Sequence, residues 1–164
     1  MAAALERPLH YCKEEFARVS EESLCQDAIL AGYCPAIAVR GKVPPVNTAS
    51  SGSFSAHYYT SDYGYLKWKL NLYNVKDVIK AHIHLGGVGQ EGDVAVVLFD
   101  TSKSPFSSKN VWFTGKIYAA DLTGPLAGKH VSDLLDYIKN GQAYVNVHTQ
   151  AWPEGAIRGQ LEYY

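Results

Sequence analysis

The sequence has little of what marks several large classes of protein. Its 164 residues carry 15 lysines and arginines against 16 aspartates and glutamates, which gives a formal net charge of −1. It therefore lacks the basic excess with which nucleic-acid-binding proteins neutralise phosphates, and we expect no nucleic-acid partner. No apolar run approaches the roughly 20 residues that a helix needs to cross a bilayer, so we expect no membrane span.

Cysteine and methionine are also scarce. Cys12, Cys25 and Cys34 all lie near the start of the chain, and none has the C-x-x-C spacing of a zinc knuckle. One disulfide with one free thiol would suit an oxidising compartment, and three reduced thiols a cytosolic one; the odd count leaves both open. Met1 is the only methionine, which disfavours an electron-transfer copper centre built from histidine, cysteine and methionine.

The start of the chain lacks the features of a secretory signal. Residues 1–6 have neither a basic start nor a long apolar centre. Apolar residues then recur at helical spacing as far as Ile29, and Gly32 follows as a stop, so we predict an N-terminal helical extension over residues 1–35. We expect a secreted or extracytoplasmic protein whose signal lies outside this sequence, with a cytoplasmic location as the alternative.

The residue types that are abundant favour strands over helices. Twelve tyrosines and three tryptophans accompany many β-branched residues. Residues 65–73 give the clearest pattern, because apolar and polar side chains alternate strictly. Further strands are predicted over residues 36–39, 53–60, 80–85, 94–99, 111–119, 143–149 and 156–162, with 94–99 expected to be buried. A short amphipathic helix is predicted over residues 131–139, before the stop at Asn140 and Gly141.

Two of the predicted strands carry histidines on one face. Residues two apart in a strand point to the same side, so His82 and His84 lie next to each other, and His148 points away from the valines of its strand. If the apolar neighbours enter one core, the three imidazoles project from the same side of the sheet. Three imidazoles suit copper or zinc better than magnesium. Exposed strand histidines are nevertheless commonly plain surface residues, which is the alternative. The apolar neighbours are Ile83, Leu85, Val145 and Val147.

Other residues are weaker candidates for the same site. His57 has outward parity and is a candidate fourth ligand, although a surface histidine is the preferred interpretation. Arg158 falls on the side of His148, where it could attract an anionic substrate or pair with a nearby glutamate. The glycine-rich residues 86–92 lack the Lys-Ser/Thr of a phosphate-binding loop and precede a strand. These glycines therefore favour a backbone that passes close to the histidine face.

Several motifs together resemble the CHRD domain, which is named from chordin. They occur in the order of that family and cover about residues 36–164, whereas residues 1–35 carry none of these motifs. The resemblance implies a mainly β fold, an antiparallel Greek-key sandwich or barrel similar to copper/zinc superoxide dismutase. The motifs are residues 43–46 (VPPV), 81–86 (AHIHLG), 96–99 (VVLF), 124–128 (GPLAG), 143–149 (AYVNVHT) and 153–161 (PEGAIRGQL).

The resemblance also implies a function. It implies a mononuclear copper site on His82, His84 and His148, with superoxide as the leading substrate, converted to oxygen and hydrogen peroxide. The sequence departs from the dismutase pattern, because it offers no histidine and aspartate set for a separate zinc ion and no bridging imidazole. We therefore expect a copper-only site, with zinc as an alternative occupant.

Two further interpretations remain open. A family resemblance fixes a fold and not a reaction, so a metal-binding or protein-interaction module without turnover is the first alternative. A copper-dependent oxidoreductase acting on another small molecule, such as nitrite, is the second. Association into a homo-oligomer is also left open.

Overall fold

The computed structural model describes the backbone of residues 36–37 and all of residues 48–60 and 64–163. The predicted N-terminal helical extension, the three cysteines and the VPPV motif lie outside the described residues. Within the described part, no helix has both the length and the apolar character needed to cross a membrane.

The fold is organised around β3 (Tyr65–Leu85), a strand of 21 residues. Two separate strands were predicted here, over residues 65–73 and 80–85, and that prediction was wrong. Asn74 and Asp77 have φ angles of 50° and 49°, a left-handed conformation that asparagine and aspartate adopt more readily than most residues. The pairing with a later strand, β5 (Phe106–Ile117), shifts between Val75 and Val78. An irregularity of this kind bends a strand without ending it, so pairing continues on both sides of the bend.

Every neighbour of β3 runs antiparallel to it. The first half of β3 lies between β2 and β5, and the second half lies between β4 and β6. β1 extends the sheet beyond β2, and β7 extends it beyond β6, and the whole sheet curls into a half-barrel. These strands are β1 (Ala36–Ile37), β2 (Ser51–Tyr59), β4 (Val94–Asp100), β5 (Phe106–Ile117), β6 (Ala143–Thr149) and β7 (Ile157–Gln160).

The two halves of β3 share one hydrophobic core. The side chains predicted to face inward over residues 65–73 are all buried, and so are the four apolar neighbours of the histidines. The helix α1 (Val131–Lys139) occupies the predicted residues and packs its apolar face on the same core. Its first turn is fixed by the Asp133 carboxylate, which accepts a hydrogen bond of 2.7 Å from the backbone N–H of His130. The prediction of a mainly β fold with one short helix is confirmed.

Three strand predictions needed correction. β4 is not fully buried, because only Ala95 and Val96 are inaccessible and Val97 is 48% exposed. β5 begins at Phe106, five residues earlier than predicted, and the hydroxyl of Ser107 accepts a hydrogen bond of 2.9 Å from the backbone N–H of Asp77. This bond ties the start of β5 to the bend of β3. β7 is shorter than predicted and spans Ile157–Gln160.

Gly115 provides the space that Trp68 occupies in the core. The two residues are paired across β3 and β5, and a Cβ atom at position 115 would lie 2.8 Å from Cζ2 of the indole ring. Trp68 also stacks on Phe54, with ring centroids 6.1 Å apart, so it cannot move aside freely. We expect Gly115→Ala to lower the free energy of unfolding by about 1–3 kcal/mol, the usual cost of overpacking, as measured by urea unfolding.

The matched background for this prediction is Trp68→Phe, which removes the fused ring atoms that the new methyl group would meet. In that background Gly115→Ala should lower the free energy of unfolding by less than it does in the native sequence. An equal cost in both backgrounds would assign the effect to the backbone rather than to the indole.

Candidate metal centre

Three histidines from two strands converge on one point. His82 and His84 lie on β3, and His148 lies on β6. The register pairs His148 with Lys80 and pairs Asn146, two residues before His148, with His82. The ring centroids of His82 and His148 are 5.0 Å apart, those of His82 and His84 are 5.5 Å apart, and those of His84 and His148 are 6.0 Å apart. One ring nitrogen from each residue lies within 4.8 Å of the other two. The predicted convergence of the three side chains is therefore observed.

Two backbone carbonyls determine which nitrogen each ring presents. Nδ1 of His84 lies 2.9 Å from the carbonyl oxygen of Gly92, and Nδ1 of His148 lies 2.8 Å from that of Pro153. A carbonyl oxygen only accepts, so each Nδ1 carries the proton and donates it, which leaves Nε2 with a free lone pair. The buried ring nitrogens without a hydrogen-bond partner are Nδ1 of His82, Nε2 of His84 and Nε2 of His148.

Burial keeps these rings neutral at physiological pH. Burial lowers the pKa of His82 to about 4, and the nearby His148, His84 and Lys80 charges add to the effect. Burial likewise lowers the pKa of His148 to about 4, although the hydrogen bond to Pro153 partly opposes it. Burial also lowers the pKa of His84. Unprotonated imidazoles with unpaired lone pairs are what a transition-metal ion requires, and an unsatisfied buried acceptor is otherwise costly.

The glycine-rich loop after β3 covers the site from one side. Its backbone returns to β3, where the N–H of Leu85 donates a hydrogen bond of 2.9 Å to the carbonyl oxygen of Asp93. A Cβ atom at Gly92 would overlap the carbonyl oxygen of Leu85, so only glycine fits at the position whose carbonyl holds His84. The loop therefore passes next to the histidines, as the glycines predicted.

A comparison with protein families agrees with the fold and with these motifs. The family model for the CHRD domain matches residues 36–161, which is most of the chain. The chain belongs to the CHRD domain family. No curated protein and no solved structure matched it, so the likeness of this CHRD domain to copper/zinc superoxide dismutase stays a prediction.

Arg158 of the CHRD domain lies on the histidine side of β7, as its parity predicted, but it is 5% exposed. Its Nη2 donates a hydrogen bond of 2.8 Å to the carbonyl oxygen of Gly87, and its guanidinium carbon lies 3.4 Å from the ring centroid of Tyr144. Tyr144 in turn stacks on His84, with centroids 5.0 Å apart and planes inclined by 10°. Arg158 thus connects the glycine-rich loop to the ring that supports His84.

A cavity of about 150 Å³ opens beside two of the histidines. It carries one guanidinium group, from Arg158, and two carboxylates, from Glu91 and Glu154. A small molecule or a hydrated ion therefore has a route to His84 and His148, through a mouth of mixed charge. The lining residues are His84, Glu91, Gly92, Tyr144, Asn146, His148, Glu154 and Arg158.

His57 does not belong to the cluster. It is exposed on β2 and pairs with Lys67 in the first half of β3, fifteen positions before His82. At about 3.3 Å for each strand residue, this separation corresponds to roughly 50 Å of strand contour. The structure therefore places His57 away from the three converging histidines, which agrees with the interpretation of a surface histidine.

Sequence reasoning missed the residues that fix the site. The carbonyls of Gly92 and Pro153 give no signal in a hydrophobic pattern, because any residue supplies a carbonyl. Asn146 was detectable, since it shares the face of His148. Its side chain is buried, and its Nδ2 donates a hydrogen bond of 3.1 Å to the carbonyl oxygen of Glu154. This bond holds the loop that carries Pro153 against β6.

Proposed function

We propose that this CHRD domain is a mononuclear copper protein that dismutates superoxide to oxygen and hydrogen peroxide. The observation that carries the proposal is the convergence of His82, His84 and His148, each of which offers a ring nitrogen within 4.8 Å of the other two and has a buried ring nitrogen without a hydrogen-bond partner. Three neutral imidazoles suit copper and zinc, and they form no anionic shell that would repel superoxide.

The donor set fits a bound transition metal. His84 and His148 would ligate through Nε2, because their Nδ1 atoms are engaged by carbonyls. The buried and unpartnered Nδ1 of His82 is the candidate third donor. The carbonyls of Gly92 and Pro153 would hold two of the rings in place from behind, a support that typically affects metal affinity by about 10- to 100-fold. Copper, when bound, would supply one-electron chemistry between its two oxidation states, whereas zinc as an alternative occupant would not.

The protein contributes access and charge to this reaction. Three protein ligands leave coordination positions for a small molecule, and the cavity beside His84 and His148 leads to them. Arg158 places a positive charge in that cavity, which raises the local concentration of an anion. Glu91 and Glu154 oppose this attraction, so we expect the guanidinium to assist superoxide binding less than an unopposed cation would.

The test is steady consumption of superoxide by copper-loaded protein. We expect turnover that exceeds that of an equal concentration of chelated copper without protein. We expect His84→Ala to reduce turnover to the level of that protein-free solution. Electron paramagnetic resonance of the loaded protein should give a nitrogen-ligated Cu(II) spectrum. Nitrogen-ligated copper without turnover would reject the dismutase and leave a metal-binding protein.

A metal-binding module without turnover is the second candidate, and one observation favours it. The guanidinium of Arg158 is already engaged by Gly87 and Tyr144, next to two carboxylates, which suits the capture of a cation better than that of an anion. CHRD domains are typically extracellular, so under either candidate we propose that the protein acts in a secreted or extracytoplasmic setting.

A further inference from the structure

One face of the sheet, far along β3 from the histidines, has an unusual composition. We call it the outer face and define it by the outward positions of β2, of the first half of β3, and of β5 with the residue after it. Its residues lie opposite one another on the three strands as the strand register places them. The positions are Ser51, Ser53, Ser55, His57 and Tyr59; Tyr65, Lys67, Lys69, Asn71 and Tyr73; and Asn110, Trp112, Thr114, Lys116 and Tyr118.

The outer face carries positive charge without a compensating carboxylate. None of its fifteen positions is aspartate or glutamate, in a chain that has 16 such residues. Lys67 lies directly between His57 and Lys116 in the register, and Lys69 is the next outward residue. Like charges opposite each other across strands are destabilising. Within the described part of the chain, no ion pair relieves Lys67 or Lys69, so a bound anion would remove a repulsion that the fold otherwise tolerates.

The same face presents flat aromatic rings to solvent. Trp112 is 63% exposed on β5, where it pairs with Asn71, and Tyr73 is exposed on the adjacent diagonal. Tyr59 and Tyr65 stack with centroids 4.8 Å apart and planes inclined by 7°. Large aromatic side chains are seldom left exposed together unless they contact a partner. Amide and hydroxyl groups between them can hydrogen-bond to a polar ligand.

We propose that the outer face binds a polysaccharide built from uronic acids. Each uronic acid ring has an apolar face of C–H groups, which would stack on Trp112 or Tyr73, and one carboxylate, which would pair with Lys67, Lys69 or Lys116. A single-stranded nucleic acid also needs stacking and positive charge, but the chain has no basic excess to compete for phosphates. A second copy of the chain would bring lysines against lysines.

The experiment is affinity electrophoresis of the full chain in gels containing polygalacturonate, followed by calorimetric titration. We expect retardation that weakens with added salt, as charge pairing requires. The double variant Lys67→Gln/Lys69→Gln should bind on the order of tenfold more weakly. Trp112→Ala should bind on the order of fivefold more weakly, because it removes one aromatic contact. Copper loading should change none of these values.

The matched control is Lys103→Gln/Lys129→Gln, which removes the same charge from exposed positions outside the outer face. It should bind like the native chain, and so should a chain assayed after removal of copper. Equal weakening in the control, equal retardation by neutral dextran, tighter binding of oligo(dT), or no retardation at all would each overturn the proposal. Because the assay is independent of the histidines, its failure would not bear on the metal centre.

Discussion

Replacing His148 by alanine is expected to weaken Cu(II) binding by more than about a hundredfold, beyond the usual cost of losing a group that only supports a ligand. His148 is the one member of the cluster that comes from β6, so its loss leaves the two nitrogens of His82 and His84 on a single strand. Two imidazoles hold copper less firmly than three and leave more of its coordination to water. Competition against a chelator of known affinity would measure the change.

The matched control is His57→Ala, which removes the same side chain from an exposed position on β2. Because the structure places His57 outside the cluster, this variant should bind copper as tightly as the native chain. A comparable loss in both variants would mean that copper binds to scattered surface histidines. Loss in His57→Ala alone would restore His57 as a ligand and contradict the proposed centre.

The convergence of the histidines could be predicted because it depends on strand parity. His82 and His84 had to share a face, and the buried positions of Val145 and Val147 fixed the side on which His148 lies. Parity has a period of two and survives small errors in strand boundaries. The same rule placed Arg158 on the correct side of β7.

The covering of the site could not be predicted from parity. We expected outward histidines, yet His82 and His148 are 8% and 5% exposed, because loops that follow β3 and β6 fold back over them. The contacts that achieve this, Gly92 with His84 and Pro153 with His148, join a side chain to a backbone carbonyl. No hydrophobic pattern records such a contact.

The continuity of β3 was missed for a related reason. The strict alternation of apolar and polar residues does not continue through Asn74 and Asp77, so the first predicted strand was limited to residues 65–73. Both residues tolerate a positive φ angle, so the backbone bends and then resumes its pairing. The bend separates the two halves of the strand, which take part in different surfaces. Its second half holds the candidate metal centre, and its first half forms the middle of the outer face.

Burial of the histidines also makes stability depend on pH in the metal-free protein. The pKa values of His82 and His148 are about 4 in the folded state, against about 6.5 in an unfolded chain. Between these values the unfolded state binds protons that the folded state does not, so acid favours unfolding. We expect the free energy of unfolding to be at its full value above pH 6.5 and to fall by on the order of 3 kcal/mol for each of the two histidines as pH drops toward 4. Urea unfolding at a series of pH values would measure it.

The double variant His82→Gln/His148→Gln separates this effect from the titration of other groups. It keeps side chains of similar polarity at both positions but removes the two depressed pKa values, so its stability should change less over the same pH range. An equally steep profile in the variant would assign the acid sensitivity to carboxylates elsewhere. Because copper also requires unprotonated rings, the loaded native protein should release its metal on acidification and then follow the profile of the metal-free protein. Metal retention to pH 4 would mean that metal binding outcompetes protonation of these rings even there.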